Sequence, residues 1–486
     1  MRPMSMEPAC FKLRMAAAGS WTALALGLFA PGILHADDAK TAPAADVIAF
    51  VDVNVVTMES PRVLADQTVV IRGDRIAAMG PATSTPLPPG ATRIDGRGKW
   101  LMPGLIDMHV HLNDPDDGSL YVANGVTTIR NMWGFPETLA WRKEYASGQR
   151  LGPAVYTTGP ILDGRPPIWQ GSTVIETAAA ADREVAAEKA AGYDFVKVYS
   201  RLSPAAYQGI LAAARRHGMR VVGHVPDAVG VLGVLDSKGQ ESIEHLTGYL
   251  GAAQSQGSRA AGMTDWNAKR RELVSHIDAA KIPRLARRSR DAGVWNCVTL
   301  IVGQRFSALE HRDSLIALPE VRYASSEMVS QWDPAKDFRL KHTTAADYVA
   351  MRAVTAFQMR MTRALRDAGA RLLLGTDTSN PFVVAGFSAH QELALLVEAG
   401  LTPYEALRAG TADAADFLHA GTEIGRVKTG LRADLILVDA DPLQEVRAAA
   451  RRSGVMLRGR WMPAAELDTE LERVATERAA PAAPNR

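Results

Sequence analysis

The sequence predicts an α/β fold: a (β/α)8 TIM barrel with a small β-sandwich domain formed from both ends of the chain. In residues 103–415, apolar strand-like runs alternate with helical stretches, which is typical of parallel strands covered by helices. On either side, residues 37–102 and 416–470 alternate apolar and polar side chains between turn residues, as strands do. We therefore expect one barrel and one accessory β domain.

Composition is that of an ordinary globular protein. The chain has 486 residues, of which 47% are hydrophobic and 22% charged, and its formal net charge is +2. Lys and Arg are scattered rather than gathered in an arm, so nothing in the charge distribution supports a nucleic-acid-binding protein.

Residues 1–36 have the organisation of a bacterial-type signal peptide. Arg2, Lys12 and Arg14 precede an apolar run, and Ala36 offers a small residue for cleavage. The apolar run is shorter than the ~20 residues that a spanning helix needs. We expect an exported protein, periplasmic or secreted, that is free of the membrane after cleavage. An uncleaved anchor and a downstream start site are the alternatives.

Cysteine usage is consistent with this expectation. Cys10 would leave with the signal peptide, which leaves Cys297 as a single cysteine and allows no intrachain disulfide. Such an exported chain must rely on a large core.

Six strand-like runs predict the accessory domain. They occupy residues 48–58, 67–73, 74–80, 425–430, 433–442 and 454–462. Because they come from both flanks, we expect the two ends of the chain to build this domain together.

Eight apolar runs predict the barrel strands. They lie at 104–112, 126–132, 154–162, 194–200, 220–225, 242–246, 294–302 and 371–377. Helical stretches such as 180–192 and 204–218 separate most of them, and the count of eight suggests a closed barrel. Residues 303–343 read as an insertion after the seventh strand, either a lid or a disordered loop. Residues 471–486 read as a disordered tail.

Polar residues fall near the carboxyl ends of these strands, where barrel active sites lie. They are His109 and His111 on strand one, Lys197 on strand four, His224 on strand five, His245 on strand six and Asp377 on strand eight. His109 and His111 share a strand face because strand side chains alternate. Taken singly, each residue has a structural alternative: a satisfied core histidine, a helix-capping aspartate or an edge lysine. Together they indicate a site for Zn²⁺ or a related metal.

This pattern resembles the amidohydrolase superfamily. The resemblance includes "GLIDMHVH", "LTPYEALRAGTADAADFL" and "GRVKTGLRADLILVDADP", and so covers nearly the whole chain after residue 36. It is strongest to the imidazolonepropionase-like branch with binuclear Xaa-Pro dipeptidases and the ochratoxin amidase. His224 and His245 lie only 21 positions apart, and the lysine lies in "FVKVY", as in that branch.

The resemblance implies a ligand set. His109, His111 and Asp377 would hold one divalent ion, His224 and His245 a second, and Lys197, carbamylated by CO₂, would bridge them. Zn²⁺ is the default metal, and Mn²⁺, Co²⁺ or Fe²⁺ suit the same ligands. Metals so placed would activate water, and Asp377 would carry its proton to the leaving amine.

Four further residues are candidates for supporting roles. Tyr199 follows Lys197 by two residues and would contact the substrate or pack at the barrel lip. His390 would lie near the leaving group or be structural. Arg130 would meet a substrate carboxylate, although Asn131 replaces the acid that relatives often carry there. Asp107 would orient a ligand histidine.

We therefore expect an exported binuclear amidohydrolase acting on dipeptides, Xaa-Pro-like, or on N-acyl amino acids. Hydrolysis of cyclic amides, lactones or other esters is the enzymatic alternative. A non-catalytic binding protein on the same barrel is the alternative of another class. The expected partner is a small molecule or dipeptide, and a homo-oligomer is possible.

Overall fold

The computed structural model describes residues 47–479, and a parallel eight-stranded barrel forms their centre. Its strands are β6 (Leu105–Val110), β7 (Val126–Asn131), β8 (Ala154–Asp163), β10 (Phe195–Val198), β11 (Arg220–Gly223), β12 (Gln240–Glu244), β13 (Trp295–Cys297) and β14 (Arg371–Leu373). Each pairs in parallel with the next in this order, and the two-residue β9 (Thr173–Val174) pairs with β8. All eight predicted strands are present.

The last strand closes onto the first. The backbone N–H of Met108 on β6 donates to the carbonyl of Leu374 at 2.9 Å, just beyond β14. Val110 and Thr378 then form a parallel bridge. The predicted barrel is therefore confirmed.

Helices surround the barrel. They are α1 (Asp117–Ala123), α2 (Pro136–Ser147), α3 (Ala178–Ala191), α4 (Pro204–His217), α5 (Gly230–Ser237), α6 (Tyr249–Ala252), α7 (Trp266–Ser275), α8 (Lys281–Ala292), α9 (Leu300–Ala308), α10 (Arg312–Ile316), α11 (Ser326–Gln331), α12 (Ala345–Ala368), α13 (Phe387–Glu398), α14 (Pro403–Ala409), α15 (Ala412–Phe417) and α16 (Ala464–Ala479). Helix α4 shows why local sequence forms them: the Ser203 side chain caps its start, and Gly218 ends it in a left-handed conformation.

Eight strands form the second sheet, and the predicted run 425–430 is not one of them. The accessory strands are β1 (Val47–Val56), β2 (Val63–Arg72), β3 (Arg75–Pro81), β4 (Thr92–Asp95), β5 (Trp100–Pro103), β15 (Leu435–Val438), β16 (Arg452–Leu457) and β17 (Arg460–Pro463). Short 3₁₀ turns lie at Leu309–His311, Pro319–Tyr323 and Val446–Ala450. The strand order β17-β16-β15-β5-β1-β2-β3 joins both ends of the chain, as predicted.

This sheet curls over its own core. Phe50 on β1 and Trp461 on β17 have ring centres 5.2 Å apart. A flat sheet would separate these strands by roughly 19 Å, because four strand spacings of ~4.8 Å lie between them. The edge strand β17 therefore faces β1, as in a sandwich.

The predicted end of the seventh strand is wrong. It stops at Cys297 rather than 302, and α9 begins at Leu300. The buried carboxylate of Glu392 accepts hydrogen bonds from the backbone N–H groups of Leu300 and Ile301, at 2.9 and 2.7 Å, and so caps this helix. Residues 303–343 fold largely as α9, α10, α11 and two 3₁₀ turns rather than as a disordered loop.

The predicted disordered tail is wrong for residues 471–479. They belong to α16, which buries Leu467, Leu471, Val474 and Ala475. These positions repeat at helical spacing, so one face of the helix packs on the protein.

The signal-peptide prediction, residues 1–36, and the remainder of the tail prediction, 480–486, lie outside the described residues. Among residues 47–479, no helix is both long and apolar enough to cross a membrane.

Candidate metal centre and active site

The barrel brings together all six residues that the sequence singled out. His109 and Lys197 lie within β6 and β10, His111 follows β6, and His224 and His245 directly follow β11 and β12, while Asp377 lies beyond β14. All are at the carboxyl ends of the strands. Five of them line one cavity, and His109 lies buried directly beneath it.

Asp377 is the point on which the histidines converge. Its Oδ1 lies 2.9 Å from His111 Nε2 and 3.4 Å from His109 Nε2, and its Oδ2 lies 3.8 Å from His245 Nδ1. The ring centres of His224 and His245 are 4.9 Å apart. Four imidazoles and one carboxylate therefore share a space the size of a metal centre.

Two site residues hold a left-handed backbone. His245 has φ 59° and Asp377 has φ 58°, and neither is a glycine. Such conformations cost energy and persist where surrounding structure enforces them, most often at functional sites.

Hydrogen bonds from behind fix the histidine rings. His109 Nδ1 lies 2.8 Å from Glu244 Oε2, His245 Nδ1 lies 2.7 Å from Thr299 Oγ1, and His224 Nδ1 lies 3.2 Å from Ser200 Oγ. In His109 and His224 the engaged Nδ1 leaves Nε2 oriented and free to bind a metal, whereas Nδ1 of His245 is also the nitrogen that lies 3.8 Å from Asp377 Oδ2.

Glu244 is a functional residue that the sequence reasoning missed. Its carboxylate, fully buried, accepts from His109 and also pairs with Arg130, whose Nη2 lies 3.0 Å from both of its oxygens. The available signal was an acid at the end of a barrel strand, directly before His245.

The prediction that Arg130 meets a substrate carboxylate is wrong. Arg130 is fully buried, and its guanidinium donates to Met108 O at 2.6 Å, Ser242 Oγ at 3.0 Å and Glu244. It lies under the histidines, where it neutralises the buried charge of Glu244.

Asp107 supports the site through the backbone rather than by orienting an imidazole. Its Oδ1 accepts from the N–H of His109 at 3.2 Å and of Thr376 at 3.0 Å, and its Oδ2 accepts from Thr376 Oγ1 at 2.7 Å. The carboxylate thus ties β6 to the segment that carries Asp377. The predicted role, orienting a ligand histidine, is thus exerted on the backbone of His109 and not on its ring.

His390 is not in the cavity. It lies on α13, and its Nε2 is 2.8 Å from the carbonyl oxygen of Asn124. Its role is structural, and the prediction of a substrate contact is wrong.

Tyr199 does line the cavity. Its ring stacks on that of His224 with centres 4.0 Å apart, and its hydroxyl oxygen accepts from Trp169 Nε1 at 2.7 Å. Because the oxygen accepts from Trp169, the Tyr199 O–H stays free to donate into the cavity.

Burial keeps the histidines neutral. It lowers the pKa of His109, His111, His224 and His245, and the charge of Lys197 lowers each further. Burial alone would raise the pKa of Asp377, but the histidines hold that pKa below its usual value. The centre thus presents neutral imidazoles and a carboxylate, the protonation states that metals bind.

The donor set fits divalent metal ions. Within the described residues, His109 Nε2 and Asp377 Oδ1 are buried and face each other without an aligned hydrogen bond. The ligand atoms of His109, His245 and Asp377 all lie within 4.8 Å of one another. Imidazole nitrogens with a carboxylate oxygen suit Zn²⁺ and its neighbours among the transition metals.

Burial makes Lys197 easier to deprotonate than an ordinary lysine. Its side chain is 1% exposed, and burial lowers the pKa of its ammonium to about 8. A minor fraction is therefore unprotonated at pH 7, and this neutral amine is the form that reacts with an electrophile such as CO₂.

Cys297 packs behind this centre and is fully buried. A Cβ on Gly375 would collide with its sulfur and with His109, so the chain needs glycine where it passes the site. Cys297 is thus a packing residue.

The cavity above the centre has a volume of about 1400 Å³. Trp133, Trp169, Phe306 and Trp332 contribute aromatic walls, the last two from α9 and the segment 303–343. The insertion therefore covers the active-site end of the barrel.

Sequence comparison agrees with this architecture. The sequence model of the amidohydrolase family matches residues 100–462, about three quarters of the chain. The chain belongs to the amidohydrolase family. Among curated relatives, it is 26% identical to an imidazolonepropionase of Micrococcus luteus over 400 residues, covering 78% of this chain and 89% of that protein.

Two solved structures of the amidohydrolase fold are similar along most of their length. A bottromycin amidohydrolase superposes with a TM-score of 0.69 and 25% identity, over 89% of this chain and 90% of its own. A Xaa-Pro dipeptidase with methionine bound in its active site gives a TM-score of 0.64 and 17% identity, over 86% of this chain and 100% of its own.

Proposed function

We propose that this protein is an exported, binuclear metal-dependent hydrolase that cleaves an amide bond in dipeptides, Xaa-Pro-like, or in N-acyl amino acids. One observation carries the proposal: four neutral imidazoles, a buried lysine of lowered pKa and Asp377 share one site at the carboxyl end of a family barrel. A binding site for an apolar ligand does not need so many titratable residues with shifted pKa values.

Each residue has a role in this proposal. His109, His111 and Asp377 would hold one ion, His224 and His245 the other, and carbamylated Lys197 would bridge them. When bound, the ions lower the pKa of water and polarise the scissile carbonyl. Asp377 accepts the proton of the attacking water and donates it to the leaving amine, and Tyr199 donates its O–H to the substrate.

The cavity favours a substrate with a bulky acyl group. Its volume of about 1400 Å³ exceeds the ~300–1,000 Å³ of most ligand pockets. A dipeptide would fill only part of it. An aromatic or extended acyl part would contact the walls formed by Trp133, Trp169 and Phe306.

A second candidate reaction is hydrolysis of a cyclic amide, favoured by the imidazolonepropionases among the relatives. The two reactions differ in their products. Cleavage of a linear amide gives two molecules and a free amine, whereas ring opening gives one product of substrate mass plus water.

The test is a panel of dipeptides, N-acyl amino acids and cyclic amides, assayed by mass spectrometry with zinc- or manganese-loaded protein. We expect new free amines from linear amides, and no turnover by an Asp377→Asn variant that still binds metal. Ring-opened products alone would favour the cyclic-amide reaction. If the protein hydrolysed no substrate of the panel but still bound peptides, the result would favour a binding protein.

Export is tested separately, by expressing the full chain in a bacterium with a periplasm. We expect the mature N-terminus to begin just after Ala36 and the protein to fractionate with the periplasm. An intact N-terminus in the cytoplasmic fraction would contradict export and leave the proposed reaction untouched.

A further inference from the structure

Arg339, from the insertion, lies in the cavity in a fixed position. Its guanidinium carbon lies 5.1 Å from the ring centre of Trp169 and 4.6 Å from that of Phe306, so the group is held between two aromatic rings. Asp337 holds it along one edge, with Nε donating to Oδ1 at 2.9 Å and Nη2 to Oδ2 at 2.6 Å. The side chain remains 20% exposed.

Two short paths connect this guanidinium with the metal centre. Along one, Trp169 donates to Tyr199, whose ring stacks on His224. Along the other, Arg339 Nη1 donates to Asn380 Oδ1 at 3.3 Å, and Asn380 Nδ2 donates to the carbonyl oxygen of Asp377 at 3.0 Å. Arg339 thus lies two side chains away from His224 along the first path and one side chain away from Asp377 along the second.

The guanidinium has unused hydrogen-bonding capacity. Of its five N–H groups, two go to Asp337 and one to Asn380, which leaves two for a ligand. The aromatic clamp and Asp337 fix the fork in advance, so binding an anion costs little further side-chain entropy. Planar forks of this kind match carboxylates.

A second arginine near the cavity, Arg271, lies farther from the histidine cluster. Arg271, beside the cavity-lining Arg270, pairs with Asp347 on α12. Asp347 precedes Gln358, which donates to the His245 carbonyl oxygen, by eleven residues. At ~1.5 Å per residue this is about 16 Å along the helix. This distance exceeds the length of an amino acid. If the amide bond of a substrate lies at the metal centre, its carboxylate does not reach Arg271.

We propose that Arg339 binds the carboxylate of the substrate and so makes the enzyme selective for amides that carry a free carboxylate near the scissile bond. The inference rests on the proposed amide hydrolysis. It assigns to the insertion the task that the sequence suggested for Arg130. It also gives residues 303–343 a role in specificity as well as in covering the site.

The test compares matched substrate pairs, N-acyl amino acids and their carboxamides. The quantity measured is the ratio of kcat/KM for the acid to that for the amide. In Arg339→Met, we expect this ratio to fall by about 10- to 100-fold, the effect of losing a charge-assisted pair of hydrogen bonds. Arg339→Lys should recover part of the selectivity, because it keeps the charge and loses the fork.

Arg322→Met is the matched control. Arg322 lies in the same insertion, pairs with Glu472 on α16 at 2.6 Å, remains 52% exposed and does not line the cavity. Its loss should change the ratio less than threefold. If Arg339→Met lowered kcat/KM for acid and amide equally, Arg339 would be a packing residue and the proposal would be overturned.

A binding measurement separates this proposal from the proposed reaction. Calorimetric titration with L-proline and L-prolinamide needs no turnover. We expect wild type to prefer L-proline at least tenfold and Arg339→Met to lose that preference. An equal preference in both proteins would refute the role of Arg339, whereas a wild type that binds selectively and hydrolyses no amide would refute the proposed function alone.

Discussion

Replacing Glu244 by Gln should both destabilise the protein and weaken its metal centre. The Glu244 carboxylate accepts from His109, from Arg130 at both oxygens and from Ser242 Oγ. Gln keeps the shape but offers one acceptor oxygen and adds an NH₂ donor. At least one buried donor then faces another donor, and the Arg130 guanidinium loses its counter-charge.

The magnitude follows from burial. Both side chains of the Glu244–Arg130 pair are 0% exposed. Removing one partner of a buried ion pair costs about 3–5 kcal/mol, because the remaining charge stays desolvated and unpaired. Loss of a hydrogen bond behind a ligand histidine weakens metal affinity by about 10- to 100-fold.

The assay is urea unfolding of chelator-treated protein, followed by metal titration of the folded variant. Glu241→Gln is the control, because Glu241 lies on β12 like Glu244 but pairs with Arg220 on β11 and remains 39% exposed. It should cost at most about 1 kcal/mol. If Glu244→Gln cost no more than Glu241→Gln and bound metal as tightly as wild type, the role assigned to Glu244 would be refuted.

Further predictions concern the site and the fold. Lys197→Ala should lose bound metal and activity, with partial rescue by short carboxylic acids that replace the carbamate; unchanged metal content would contradict the bridge. Asp377→Asn should lower kcat at least ~100-fold with little change in KM, and normal kcat with a raised KM would contradict proton transfer. Burial raises the pKa of Asp117 to about 6 despite its pairing with Arg478. The folded state therefore holds a proton that the unfolded state releases, and stability falls as the pH rises from about 4 to 6, by roughly 3 kcal/mol. Asp117→Asn should remove that fall in urea titrations at pH 4 and 7, and a parallel fall in both proteins would count against it. Leu471→Ala should cost about 2 kcal/mol in the same assay if residues 471–479 pack as a helix, and nothing if they do not.

The barrel and the six clustered residues were predictable because strand periodicity and strand ends are local features. His109 and His111 share a face by alternation alone. The apolar runs around Lys197 and His224 match β10 and β11 closely. Parallel strands then bring their carboxyl ends to one edge, whatever the helices between them do.

Glu244 was not identified from the sequence because side chains stop alternating between the two strand faces at the end of β12. By period two, Glu244 and His245 should point to opposite faces. The left-handed backbone of His245, φ 59°, reverses that order and brings its ring into the same site. Nothing in the local pattern marks this reversal, and so the partner of His109 and of Arg130 was not identified.

The helices of the insertion and the last helix were not predicted, for different reasons. In residues 303–343 the helices are short and depend on tertiary contacts such as the Glu392 cap of α9, which no local signal reveals. In residues 471–479 the helical spacing of Leu471, Val474 and Ala475 was present, but a composition rich in charge and alanine was interpreted as disorder.

The central claim is that two metal ions act together in this barrel. The most direct measurement is stepwise addition of Zn²⁺ or Mn²⁺ to chelator-stripped protein, with bound metal counted by mass spectrometry and amide hydrolysis assayed at each step. We predict that activity reaches its plateau at two bound ions per chain. A plateau at one ion, or full activity in the stripped protein, would contradict the account.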